Sequence, residues 1–202
     1  MARIISFNIN GIRARQHQLE ALRDQYDADI IGLQETKVHD EQFPLGDVEP
    51  LGYHVEYFVQ KSHYGVALLS KQAPVFVQKG WPWDDEDAQK RIIHARYEID
   101  GRSIDVINGY FPQGESQDHE IKFPAKRQFY ADLMRYLDEH FTPESNLVVM
   151  GDMNISPQDI DIGIGEPNRK RWLKTGKCSL FPEDCEWYES LPAWGLWDSV
   201  RT

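Results

Sequence analysis

The chain repeats one local pattern: a short apolar run closed at its carboxyl end by polar side chains. Leu147-Val148-Val149-Met150 runs into Gly151-Asp152-Met153-Asn154. Ile30-Ile31-Gly32-Leu33 runs into Gln34-Glu35, and Ile4-Ile5-Ser6-Phe7 into Asn8. Val106-Ile107 runs into Asn108-Gly109-Tyr110. Apolar runs of this length, without alternation, read as strands covered on both faces. In α/β proteins chemistry gathers beyond the carboxyl ends of such strands. Gly151 reads as a turn that bounds its strand. Asp152 and Asn154, two positions apart, point the same way on an extended backbone. Asn8, Glu35, Tyr110, Asp152 and Asn154 therefore form a candidate site, rich in hard oxygen donors.

The order of elements narrows the architecture. Strands over 3–8 and 29–34 enclose a helix over 11–26 with Ile12, Leu19, Leu22 and Tyr26 on one side. That β-α-β order predicts parallel pairing with a right-handed crossover. Short strands over 53–59, 65–70, 74–79, 91–99 and 103–110 follow with no long helix between them, which predicts antiparallel pairing. Phe129, Leu133, Tyr136, Leu137 and Phe141 recur at helical spacing and predict a helix over 123–141. A strand over 146–151 comes next. Residues 155–195 read as loops with short helices, and 196–200 as the start of another strand. The simplest way to bury so much strand is two sheets packed face to face with helices outside. At 202 residues one domain is expected.

Charge bears on the partner. The net charge of −11 opposes nucleic-acid binding taken as a global sum. Binding is local, however, and the charge is segregated. Residues 168–177 carry five positive charges and no negative one, while Asp84-Asp85-Glu86-Asp87 gathers acid elsewhere. Arg13 with Arg15, and Lys122 with Lys126 and Arg127, form smaller basic groups. A solvated basic turn accounts for any one of these clusters equally well. No apolar run approaches a membrane span, and no leader segment is expected. Cys178 and Cys185 lack ligand spacing and read as free thiols of a reducing cytosol.

Glu35 and Asp152 need a cation or a partner if half-buried. Two carboxylates beside amides, with no histidine near in sequence, suit Mg²⁺ and hence phosphate chemistry. Pairing of Glu35 with Lys37 is the simpler reading for that residue alone. Tyr110 either donates to a phosphate oxygen or is a core aromatic with a satisfied hydroxyl. His63, His94, His119 and His140 are scattered, without the partner spacing of a nucleophilic triad. No Gly-rich nucleotide loop occurs.

Five motifs then appear in a fixed order: Ser6-Phe7-Asn8-Ile9-Asn10-Gly11, Gly32-Leu33-Gln34-Glu35-Thr36-Lys37, Gly65-Val66-Ala67-Leu68-Leu69-Ser70, Asn108-Gly109-Tyr110-Phe111-Pro112-Gln113-Gly114 and Gly151-Asp152-Met153-Asn154. With Ile162-Gly163-Ile164-Gly165 and Arg169-Lys170-Arg171-Trp172-Leu173, they make the chain resemble the bacterial exonuclease III (AP endonuclease) family of the endonuclease/exonuclease/phosphatase superfamily. The resemblance implies an α/β fold, a four-layer α/β sandwich of two mixed sheets flanked by helices. It implies a cytoplasmic, monomeric DNA-repair nuclease that uses Mg²⁺, with Mn²⁺ as the alternative ion. Its substrates would be double-stranded DNA with abasic sites or 3′ ends. Carried over, Asn8, Glu35, Asp152 and Asn154 form the metal site, and Tyr110, Asp152 and Asn154 the catalytic set. Arg91 and Gln113 would contact DNA; Arg169, Lys170, Arg171 and Lys174 are added from the basic segment. The family pattern continues with further strands, an acidic strand end and a Ser-Asp-His segment, none of which occurs in these residues. The resemblance thus implies one nuclease domain over 1–202 lacking its C-terminal strands, inactive or impaired in isolation. Two other readings keep the fold: a phosphoesterase of the same superfamily, and a truncated DNA- or partner-binding module.

Overall fold

The computed structural model describes residues 2–60, 64–158, 161, 163, 165–175 and 181–199. His63, Cys178, Gly176 and Lys177 lie outside the described residues. The chain forms two compact units, Met1–Tyr110 with Asn146–Met153, and Phe111–Ser145 with Asn154–Thr202.

Among the described residues the first unit holds eight strands in two mixed sheets. One sheet has the order β1-β2-β4-β3, from β1 (Ile4–Asn8), β2 (Ile30–Gln34), β3 (His54–Phe58) and β4 (Val66–Ser70). The other runs β5-β6-β7-β8, from β5 (Phe76–Lys79), β6 (Ile92–Ile99), β7 (Arg102–Tyr110) and β8 (Leu147–Asp152). As expected, β1 and β2 pair in parallel and the middle strands antiparallel; β7 and β8 are again parallel. Every residue of β2 and of β4 is buried, which is why these runs do not alternate. Ile30, Val66 and Leu68 of one sheet meet Ile93, Tyr97, Val106 and Met150 of the other in a shared core. On the opposite face of the first sheet, Ile31, Leu33, Ala67 and Leu69 pack with Leu19 and Leu22 of α1 (Gln16–Tyr26) and Val48 of α2 (Leu45–Val48).

The helix expected over 11–26 is divided. Ile12–Ala14 is a 3₁₀ turn, and Arg15, at φ −131°, separates it from α1. Tyr26 is exposed rather than part of the packed side. Gly151 is not a turn either: it lies inside β8, paired with Gly109, at φ +141°. A Cβ there would sit 1.9 Å from the Gly109 carbonyl oxygen, so only glycine lets β7 and β8 approach this closely.

A buried polar seam joins the two sheets. Asn108 of β7 is fully buried and donates to the carbonyls of Leu33 and Ala67, both at 3.0 Å. Its Oδ1 accepts from Gln34 Nε2 at 2.6 Å. A side chain on Gly32 would collide with Asn108 at 2.9 Å and Met150 at 2.3 Å, so the glycine makes the space this amide fills. Each hydrogen bond removed from this seam leaves a buried polar atom less satisfied.

In the second unit, α3 (Lys122–His140) and α5 (Pro182–Trp194) pack through aromatic rings: Phe123 on Phe181, and Tyr130 stacked on Trp187 at 5.3 Å. The basic segment 168–177 falls largely on α4 (Glu166–Thr175). Among the described residues, 155–195 holds two α-helices, of ten and thirteen residues. Residues 196–199 form no strand, and Trp197 is exposed. Among the described residues no helix is long and apolar enough to cross a membrane.

Replacing Asn108 by leucine removes one donor from each of two strand carbonyls and one acceptor from the Gln34 amide. The expected result is a loss of about 2–4 kcal/mol in unfolding free energy, read as a lower urea midpoint at unchanged slope.

Candidate active site

Three strand ends of the first unit meet at one carboxamide. Asn8, the last residue of β1, donates from Nδ2 to Glu35 Oε1 and to Asp152 Oδ2, each at 2.8 Å. The two carboxylate oxygens are therefore no more than twice 2.8 Å apart. The amide's orientation is fixed from behind, because Asn8 Oδ1 accepts the backbone N–H of Asn10 at 3.0 Å. Asn8 consequently offers its NH₂ group, with no charge, to both acids.

Glu35 follows β2 in the left-handed region, at φ +53°, and Lys37 does the same. The turn between them is locked by its neighbours. Glu35 and Thr36 carbonyls accept the N–H groups of Gly11 and Ile12, and Thr36 N–H donates to Gly65. Thr36 is fully buried, and a Cβ on Gly65 would lie 2.2 Å from its Oγ1. The glycine at the head of the third motif thus makes room for the threonine of the second.

Glu35 also pairs with Lys37, whose Nζ lies 2.6 Å from Oε2. The simpler reading of Glu35 and the site reading hold together, since the other carboxylate oxygen faces Asn8. Burial works to raise the Glu35 pKa. Hydrogen bonds from Lys37 and Asn8, the Lys37 charge and the Tyr110 hydroxyl outweigh it and hold the group below the usual carboxylate value. Tyr110, at the end of β7, pairs in register with Asp152 of β8. Burial first, and then the adjacent Glu35 carboxylate, push its phenol well up. The hydroxyl therefore stays protonated and is a donor at neutral pH.

Arg91 has a use the sequence did not suggest. Expected as a DNA contact, it is 8 % exposed. Its guanidinium lies over the rings of Tyr64 at 4.2 Å and Tyr110 at 5.0 Å. Nη1 donates to the Tyr110 carbonyl at 3.0 Å and Nε to Gln89 at 2.6 Å. In this geometry Arg91 braces Tyr110 rather than facing solvent.

The remaining candidates belong to the second unit. Gln113 is exposed on the loop before α3. Lys170, Arg171 and Lys174 are exposed along α4, and Arg169 is half-buried. Arg169 and Lys170 share Glu166, at 3.7 and 3.5 Å. The extended geometry expected to align Asp152 with Asn154 ends with β8, because Asn154 turns to φ +50°. Asn154 Nδ2 donates to the Phe111 carbonyl at 2.8 Å. The basic group of Lys122, Lys126 and Arg127 is committed within the protein: Lys122 to Glu115, Lys126 to Asp184 and Arg127 to Glu183. His94 is buried against Asp105 at 2.7 Å, and His119 Nδ1 accepts the N–H groups of Ile121 and Lys122.

The donor set limits what can bind. Among the described residues no group of three or more acidic, histidine or cysteine side chains gathers to hold a metal. Two carboxylates on one amide instead fit a hard divalent ion that keeps several waters and shares its remaining positions with phosphate oxygens. The sequence and the fold have known counterparts. The model of the Endonuclease/Exonuclease/phosphatase family matches residues 5–202. The chain belongs to this family. The exodeoxyribonuclease III of Haemophilus influenzae is 60 % identical over 98 % of the chain and 74 % of its own length. An AP endonuclease structure from Archaeoglobus fulgidus superposes with a TM-score of 0.86 at 34 % identity. It covers the whole chain, which spans 74 % of it. A Neisseria 3′ phosphatase bound to a product DNA hairpin gives 0.85 at 32 % identity, with the same coverage of each chain. Exonucleases of this family are of the divalent-metal-dependent kind, and the two mixed sheets with their helices are its α/β fold.

The bracing role of Arg91 separates from DNA contact without DNA. Arg91→Ala is expected to lower stability by about 1–3 kcal/mol in urea, because two tyrosine faces and a carbonyl lose one planar cation. Arg91→Lys restores little of it, lacking the planar fork.

Proposed function

We propose that this chain is a DNA-repair nuclease of the exonuclease III kind, hydrolysing phosphodiesters with Mg²⁺, or Mn²⁺ in its place. Its substrates are duplex DNA at 3′ ends, by 3′→5′ exonuclease action, and at abasic sites, by incision. By the same likeness it works in the cytoplasm as a monomer. The single observation that carries this reading is the carboxamide of Asn8 holding Glu35 and Asp152 side by side.

The geometry supports the following roles. Glu35 and Asp152 would hold the ion, and Asn8 would serve the metal site by fixing both acids. Bound there, the ion offsets the negative charge that grows on the phosphate oxygens. Asp152 accepts the proton of the attacking water. Tyr110, kept protonated, donates to a phosphate oxygen. Asn154 has a second amide hydrogen beyond the one given to Phe111 and offers it to the scissile phosphate. Gln113 and the exposed cations Lys170, Arg171 and Lys174, with Arg169, meet the DNA backbone, where Lys and Arg supply affinity without sequence readout. Phosphatase action on a 3′ phosphate is the second reading, favoured by the Neisseria neighbour.

An abasic duplex, a recessed 3′ end and a 3′-phosphorylated end, each with Mg²⁺, rank the substrates. Chelation by EDTA is expected to abolish turnover, and Mg²⁺ to restore it. Glu35→Gln and Asp152→Asn should each lower kcat by about 10²–10⁴-fold. Lys170→Glu with Lys174→Glu should weaken DNA binding and flatten its salt dependence by about two phosphate contacts. Cleavage that persists in EDTA, or in Glu35→Gln, contradicts the reading.

A further inference from the structure

A lysine is buried near the start of α3, where the helix otherwise turns Phe123, Phe129, Tyr130, Leu133 and Leu137 inward. Side-chain exposure is 1 % for Lys126 and 0 % for Asp184, and Nζ lies 2.8 Å from Asp184 Oδ1. Nζ also donates to the Asn154 carbonyl at 2.8 Å. Asp184 is itself fixed, since Oδ2 accepts the Phe181 N–H at the start of α5 at 3.2 Å. Gly114 accommodates the lysine stem, because a Cβ there would come within 3.0 Å of Lys126 Cδ. A buried ion pair gives little stability over apolar packing. Its particular gift is direction, and here the direction is toward one carbonyl.

That carbonyl belongs to a residue in an uncommon conformation. Asn154 sits at φ +50°, and its side chain reaches the Phe111 carbonyl at 2.8 Å. In the left-handed region its own carbonyl leaves the strand ladder and needs another donor. We infer that the buried Lys126–Asp184 pair is a positioning device for Asn154: by holding its carbonyl it fixes the turn that aims its carboxamide. Lys126 and Asp184 touch no substrate and act only through Asn154. The inference rests on the reading of Asn154 as a phosphate contact only in its catalytic consequence. The positioning itself concerns this unit alone.

Two measurements on the full chain separate these. By NMR, Lys126→Met and Asp184→Asn are expected to shift the Asn154 side-chain NH₂ signals and to speed their exchange about tenfold, while α3 amides keep their protection. Unchanged Asn154 signals overturn the inference. If Lys126→Met does not fold, Asp184→Asn, equal in size, decides alone. In single turnover on an abasic duplex, Lys126→Met should cut the cleavage rate about tenfold or more, with DNA affinity within about twofold. In the Asn154→Ala background the same substitution should change the rate by less than about twofold, since the two act as one unit. An equal loss in both backgrounds shows a merely structural lysine and overturns the proposal. Asn154→Ala with wild-type cleavage instead removes the catalytic reading of Asn154, and the NMR result still decides the positioning.

Discussion

Two carboxylates drawn toward one point repel, and a half-buried pair needs compensation close at hand. Asn8 supplies it with a group that is neutral, rigid and doubly donating, each hydrogen meeting one acid at 2.8 Å. Much of the first unit serves that contact. β1 and β2 run parallel so that Asn8 and the Glu35 turn emerge at the same end. β7 and β8 do likewise for Tyr110 and Asp152. The Asn10 N–H keeps the amide from flipping, which would present an oxygen to both acids.

The sheets must keep their alignment for this to persist. A one-residue slip in any strand would turn its functional side chain to the other face. The Asn108 seam opposes such a slip, because its donors reach β2 and β4 at single carbonyls. Apolar contacts between the sheets have no such directionality. The polar seam therefore contributes registration, while Ile30, Leu68, Ile93 and Val106 contribute cohesion.

The strands were legible because burial on both faces leaves an unbroken apolar signature, and their polar ends stand out against it. Asn8, Glu35 and Asp152 were legible for the same reason. Positions whose meaning lies in a distant partner were not. Lys126 reads as one more cation beside Arg127 until Asp184, far along the chain, is brought against it. Arg91 was carried over as a DNA contact, with nothing local to show that its guanidinium lies over Tyr64 and Tyr110. Asn108 was visible only as part of a motif, with nothing local to say that it is buried. Gly151 looked like a turn because glycine marks both turns and close backbone approach, and sequence does not distinguish them. The apolar ending around Leu196 suggested a strand, but Trp197 is exposed and no partner strand pairs with 196–199 among the described residues.

The neutrality of Asn8 also limits what evolution or chemistry can do there. Aspartate differs from it by a single heavy atom and fills the same volume. It would nevertheless replace two donors with two acceptors and crowd three anions into a space shaped for a pair. Hydrolysis of that one side-chain amide would leave the backbone untouched and the cleft geometrically intact, yet turn mutual attraction at its centre into repulsion.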